Sequence, residues 1–173
     1  MIYRSGEILI RDMNEADPAY FTREERLQGW HADESKLKGR LEDVKSGLCV
    51  SIVAEYRGEP AGYVNIYKTG TGGPFAESGL PVIVDFNVLE KFRRRGIGTA
   101  LMDEAEKIAL QYADTVWLGV GLHAGYGSAQ RMYVKRGYIP DGSGVWYGDK
   151  LCEPYADCVN DDDLVLFLSK KLK

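Results

Sequence analysis

Residues 90–109 read EKFRRRGIGTALMDEAEKIA, three arginines running into a glycine pair and then into a helical pattern. The unpaired N–H groups of a helix N-terminus already carry partial positive charge, so cations are disfavoured there. Arg93, Arg94 and Arg95 fit that end if an anion occupies it. A glycine-containing turn and the helix dipole form an anion site. Gly96 and Gly98 would let the backbone approach phosphate oxygens, and the arginines would add charge-assisted contacts. For an isolated RRRG, a solvated basic turn is the simpler alternative. Two common phosphate motifs do not apply. No Lys-Ser/Thr follows the glycines, which excludes a P-loop, and Leu101 stands where the third glycine of a dinucleotide fingerprint belongs.

The pattern around this stretch is a succession of strands and helices. Glu7 to Arg11 reads as a first strand, and Ala19 to Gly47 as two charged helices with Leu37, Leu41 and Val44 at helical spacing. Leu48–Tyr56 and Ala61–Tyr67 are β-rich runs joined by a hairpin signal, Arg57-Gly58-Glu59-Pro60. A glycine-rich loop, Thr69–Leu80, is of a length expected to be flexible or functional. It precedes PVIVDFNV, Pro81–Val88, an apolar strand interrupted by Asp85 and Asn87. After Gly96, one helix face carries Ile97, Leu101, Ala105 and Ile108, leaving Asp103, Glu104 and Lys107 to solvent. Thr115–Val120 is a further strand and Ser128–Lys135 a short helix ended by Gly137. Gly144–Tyr147 and Leu164–Ser169 supply two more strands. Together these predict a single α/β (α+β) domain over 1–173, with a mixed, mostly antiparallel sheet of about seven strands.

Composition narrows the function. The 173 residues carry a formal charge of −4, which argues against a basic nucleic-acid-binding surface and is compatible with a cationic substrate. Three cysteines without a CxxC pair and two histidines give no metal-site pattern, so no metal is expected. The thiols read as reduced. With neither a signal-peptide h-region nor a membrane-length apolar run, a cytoplasmic protein without membrane contact is expected.

The strand, the turn and the helix together resemble the GNAT superfamily of N-acetyltransferases. Its acetyl-coenzyme A signature, Gln/Arg-x-x-Gly-x-Gly/Ala, is matched by Arg93-Arg94-Arg95-Gly96-Ile97-Gly98, after PVIVDFNV and before TALMDEAEKIA. A second family pattern, N-x-x-A-x-x-x-Y-x-K-x-G-F/Y, is matched by Ala129, Tyr133, Lys135, Gly137 and Tyr138, with Tyr126 in place of the asparagine. The resemblance covers essentially the whole chain. It implies acetyl-CoA as co-substrate, helices on both sheet faces, and a splayed parallel pair formed by Pro81–Val88 and Thr115–Val120. It also implies pyrophosphate on the turn Arg93, Arg94, Arg95, Gly96, Ile97, Gly98 and Thr99. Pantetheine would pair with the backbone of Phe86, Asn87 and Val88, and Tyr126, Ser128 and Tyr133 would complete the cofactor set.

For the chemistry, the resemblance implies the Val88 amide as oxyanion donor and Tyr133 as the acid for the departing thiolate. A core tyrosine packed beside Met132 is the alternative for Tyr133. Asp85, a carboxylate within an apolar strand, is the first choice of general base; a structural hydrogen-bonding role remains open. Alternation puts Asp85 and Asn87 on one face. His123 is a second candidate proton acceptor, or a loop histidine without catalytic duty. The acidic stretch Asp149–Asp163 is either a rim that attracts a cationic acceptor or a solvated loop. The expected partner is a small-molecule or peptide amine, and a homodimer is implied as common in the family. Competing readings are a non-catalytic coenzyme A or acyl-CoA sensor, and a nucleotide-binding protein.

Overall fold

The computed structural model describes residues 3–173, and the chain divides into two compact units. The first comprises Met1–Tyr67 and Ile83–Ile108, the second Lys68–Val82 and Ala109–Lys173.

In the first unit, β1 (Tyr3–Ser5) and β2 (Ile8–Asp12) precede two helices, α1 (Asp17–Leu27) and α2 (Glu34–Lys45). Pro18 opens α1, where a missing N–H costs nothing, and Asp33 caps α2 by accepting the Ser35 N–H at 2.9 Å. Then come β3 (Cys49–Tyr56), β4 (Glu59–Tyr67), β5 (Val82–Val88) and α3 (Ile97–Leu110). The order β1-β2-β3-β4-β5 is antiparallel through β4. Arg57 and Gly58 have φ of 54° and 85°, the left-handed pair of a two-residue hairpin turn. Pro60, expected in the turn, lies within β4, tolerated where the register shifts between Ala54 and Glu55.

Alternation along β4 separates the two faces of this unit. Tyr63 packs edge-on against Phe21 of α1, and Tyr67 meets Arg40 of α2. On the opposite face, a Cβ on Gly62 would lie 3.2 Å from Leu101 of α3. As predicted, Ile97, Leu101, Ala105 and Ile108 are buried. Glu104 departs from the expectation: it is buried too, because Lys107 one turn later neutralises its carboxylate at 2.6 Å.

The second unit contains β6 (Thr115–Gly121), α4 (Gly127–Lys135), β7 (Ile139–Tyr147), β8 (Lys150–Leu151) and β9 (Leu164–Lys171). β9 pairs antiparallel with both β6 and β7. The expected parallel pair forms where Val82, the first residue of β5, registers with Trp117, whose N–H donates to Pro81 O at 3.2 Å. β7 starts earlier than expected because the turn-like PDGSG stretch is absorbed as an irregularity between Pro140 and Val145. Gly142 and Gly144, with φ of 92° and 100°, supply the left-handed backbone that this needs. The two short strands β1 and β8 were not expected, and they bring the sheet to nine strands among the described residues. Among the described residues, no helix is long and apolar enough to cross a membrane.

The glycine-rich loop packs within this second unit. Phe75 stacks on Trp117 with ring centroids 5.1 Å apart, and Trp117 meets Phe167 edge-on at 5.7 Å. Gly70 lies so close to the indole that an added Cβ would fall 2.0 Å from Trp117 Cζ2. Gly70→Ala should therefore force the indole or the loop aside, at about 1–3 kcal/mol of overpacking. A urea titration followed by tryptophan fluorescence should show a lower midpoint, and an unchanged midpoint would contradict the contact.

Candidate active site

The turn from β5 to α3 is built from unusual backbone. Arg94 and Gly96 have φ of 60° and 81°, left-handed conformations of the kind found in anion-binding turns. Ala100 N–H donates to Gly96 O at 3.0 Å, and that bond starts the helical ladder. Among the described residues, no protein acceptor meets the backbone N–H groups of Arg94, Arg95, Gly96, Ile97, Gly98 or Thr99. The run combines the orphan donors of a helix N-terminus with those of the preceding turn.

Two of the three arginines are otherwise engaged. Arg93 lies over the Trp30 ring at 5.3 Å and within 3.6 Å of Glu90, and Arg95 lies over Tyr56 at 5.0 Å. Arg94 is exposed, with no partner among the described residues. The backbone donors therefore make the anion-ready surface, and Arg94 is the side chain left to add charge.

β5 carries the second group of predicted residues. Asp85 sits mid-strand at φ 52°, left-handed backbone that a non-glycine residue rarely adopts. Its side chain is 11% exposed and paired with Lys36 at 2.6 Å and Arg40 at 2.7 Å, and Asn65 Nδ2 donates to it at 3.1 Å. Burial pushes its pKa up, but Lys36 and Arg40 outweigh burial and hold the carboxyl below the usual range. Asn87 reaches the same helix layer, donating to Glu25 of α1 at 2.5 Å. Asp85 and Asn87 thus share a face, as alternation predicted. Leu89 N–H donates to Ala61 O of β4 at 2.9 Å, so by strand alternation the Val88 N–H points away from β4.

Glu25 was not singled out in the sequence. It stood within a charged helical stretch, and the only signal was its i,i+4 spacing from Phe21, which put it on the apolar face. It is 6% exposed, and its Oε1 accepts from Tyr63 OH at 2.8 Å and from Asn87. Burial pushes its carboxyl pKa up, partly offset by these hydrogen bonds.

In the second unit, Tyr133 lies on α4 and is 5% exposed, with its ring centroid 5.7 Å from that of Tyr138. Burial, with a smaller contribution from Tyr126, raises its phenol pKa, so it remains protonated through neutral pH. Tyr126, at the motif's asparagine position, donates to Asp162 at 2.8 Å and packs against Gly121, where a Cβ would fall 2.4 Å from the ring. Ser128 is exposed in the first turn of α4. His123 Nδ1 accepts the Gly125 N–H at 3.0 Å, which places the neutral ring's proton on Nε2, 3.0 Å from Asp162. Its free lone pair is thereby occupied, and the geometry supports the loop-histidine reading. Among the described residues, no group of His, Cys, Asp and Glu is arranged to hold a metal.

A family model for the acetyltransferase (GNAT) family matches residues 8–138. The chain belongs to the GNAT acetyltransferase family. No curated protein sequence matches this GNAT chain at a significant level. Among solved structures, Ard1 from Thermoplasma volcanium is similar at 19% identity, covering 97% of this chain and 99% of that one, with a TM-score of 0.70. The structure of yncA from Salmonella typhimurium with its cofactor acetyl-CoA is similar at 15% identity, covering 97% and 95%, with a TM-score of 0.68. Ribosomal-protein-alanine N-acetyltransferase from Brucella melitensis is similar at 20% identity, covering 94% and 99%, with a TM-score of 0.67. At these identities the likeness concerns the fold.

In this GNAT chain, the sequence-predicted residues fall into two groups. Asp85 to Val88 and Arg93 to Thr99 belong to the first unit; Tyr126, Ser128 and Tyr133 belong to the second. Two measurements probe the first group. Gly98→Leu would crowd the unpartnered N–H run, so coenzyme A affinity by calorimetry should fall about tenfold or more. Asp85→Asn should cost about 2–3 kcal/mol at pH 7 by leaving Lys36 and Arg40 uncompensated. Because the folded pKa of Asp85 is depressed, its stabilising contribution is fully present above the ordinary value of 3.8 and is lost as pH falls through the lower folded value. Denaturation curves of wild type and D85N should accordingly converge in that acid range, and a gap independent of pH would contradict the ion pairs.

Proposed function

We propose that this GNAT chain transfers the acetyl group of acetyl-CoA to a primary amine of a small molecule or peptide, by direct attack in a ternary complex. The observation that carries the reading is the run of unpartnered backbone N–H groups from Arg94 to Thr99, which fits a pyrophosphate. The fold relative solved with acetyl-CoA supports the choice of co-substrate. Bound acetyl-CoA would supply the thioester and an easily displaced thiolate. Phe86, Asn87 and Val88 would offer backbone groups to the pantetheine arm, and the Val88 N–H would stabilise charge developing on the thioester oxygen. Tyr126 and Ser128 would lie along the cofactor. Tyr133, kept protonated by burial, would donate to the departing sulfur.

Asp85 takes the structural role left open in the sequence. Two cations hold it ionised and lower its pKa, which makes it a weak proton acceptor. The lowered pKa and the strained backbone together suit a strut that fixes β5 rather than a base. The likeness to a ribosomal-protein-alanine N-acetyltransferase supports including peptide α-amines among the acceptors. The free thiols of Cys49, Cys152 and Cys158 are in keeping with a reducing, cytoplasmic setting.

The test is a panel of amines, comprising alanine- and serine-initiated peptides, polyamines and aminoglycosides, assayed for free-thiol release from acetyl-CoA. Acceptor-dependent release is expected for at least one class. Coenzyme A binding without release from any amine would favour a non-catalytic sensor, and tighter binding of ATP than of coenzyme A would favour a nucleotide protein. With an active acceptor, Tyr133→Phe should lower kcat about 10²-fold with coenzyme A affinity retained. Unchanged turnover across pH would remove Tyr133 as the acid.

A further inference from the structure

Among its described residues, the first unit buries three carboxylic acids, Asp17, Glu25 and Glu104. Two of them are matched by cations: Asp17 is 2.7 Å from Arg11, and Glu104 is 2.6 Å from Lys107. Asp85, nearly as deep, has Lys36 and Arg40. Glu25 has no cation within ion-pair distance among the described residues; its hydrogen bonds come from the neutral donors Tyr63 and Asn87, and Lys36, already paired with Asp85, acts on it only through space. Both donors bind Oε1, and no protein donor reaches Oε2 among the described residues. A buried carboxyl with no cation in contact is costly to ionise, and that cost is met by a raised pKa or by a cation arriving from outside the chain.

Position gives that cation a chemical identity. Asn87, which holds Oε1 at 2.5 Å, immediately precedes Val88, the residue whose N–H is assigned to the thioester oxygen. The carboxylate is therefore held by the side chain that immediately precedes the assigned oxyanion donor on β5. Resting on the acetyltransferase reading above, we infer that Glu25 is the catalytic base, and that its carboxylate receives the acceptor's ammonium group and removes one proton from it.

The step balances. The ammonium gives one proton to Glu25, the freed lone pair forms the N–C bond, and the C–S bond breaks with its electron pair on sulfur. The nitrogen's second proton leaves to water as the amide forms, the thiolate takes the phenol proton of Tyr133, and water returns a proton to the tyrosinate. Glu25 then returns its proton to water, so one proton is released per acetyl group. The groups facing Glu25 are Tyr63 from β4, Asn87 and Asp85 from β5, and Lys36 from α2. Burial is the largest influence and raises its pKa; Tyr63, Asn87 and Lys36 oppose it, and Asp85 adds to it. A raised carboxyl pKa makes a better proton acceptor.

The test uses the full-length protein with acetyl-CoA and an active amine from the panel. Glu25→Gln keeps an oxygen for Tyr63 and Asn87 but cannot accept a proton. Its kcat at saturating amine should fall about 10²-fold or more, with coenzyme A affinity and melting curve retained. Glu25→Asp should recover part of the loss. Retention of kcat within about threefold, or a rise in KM alone, would overturn the assignment as base. If Glu25→Gln fails to fold, the wild type still decides through the acid limb of its kcat–pH profile. That limb should stay fixed for acceptors of different amine pKa, whereas a limb that tracks the amine would exclude a titrating base. In the free protein, the Glu25 13C carboxyl resonance should titrate above the ordinary 4.5, and titration at or below it would overturn the proposal without any assay of turnover. Failure of the wild type with every amine sinks the acetyltransferase reading itself; failure confined to these Glu25 measurements sinks only its role.

Discussion

Everything placed on β5 depends on how the strand tolerates an aspartate in left-handed backbone at its middle. The conformation of Asp85 costs roughly 1–3 kcal/mol, and burying its charge would cost more. Lys36 and Arg40, both from α2, and Asn65 from β4 meet that cost. One carboxylate thereby ties a helix and two strands together and sets the course of the next three residues. Asn87 is aimed at α1, and Val88 offers its N–H to the edge away from β4. Arg40 extends the tie through Tyr67 to Asp43, so the network ends on the helix where it began.

Local features of the fold were legible in the sequence. The turn from Arg93 to Thr99 is written in consecutive residues, and its glycines and flanking apolar runs can be seen without a partner. The hairpin at Arg57-Gly58 and the buried stripe of α3 were legible for the same reason. Where structure and local pattern differ, a neighbour in space overrules the local signal. Pro60 looked like a turn residue but sits at a register shift, and the PDGSG stretch looked like a break but is an irregular part of β7. Glu104 looked exposed until Lys107 covered its charge.

The candidate site divides along the same line. Tyr133 and the turn could be found by motif, whereas the partners of Asp85 are scattered through α2 and β4, far from it in the chain. Glu25 was harder still. A glutamate among arginines and glutamates on a helix carries no mark of burial, and only Tyr63 and Asn87, from two other elements, disclose its environment. Tyr126 is a related case: as a substitution it looked like a lost cofactor contact, but the structure gives the side chain its own partner in Asp162.

The docking of Arg93 and Arg95 on Trp30 and Tyr56 bears on how such a turn can evolve. When recognition is entrusted to main-chain N–H groups, selection acts on the path of the backbone and only weakly on the letters that line it. Residues on the rim are then free to drift, provided that a few positions still permit the required curvature. Chains can diverge until little identity remains while the turn keeps its shape, leaving a signature of only a few fixed letters.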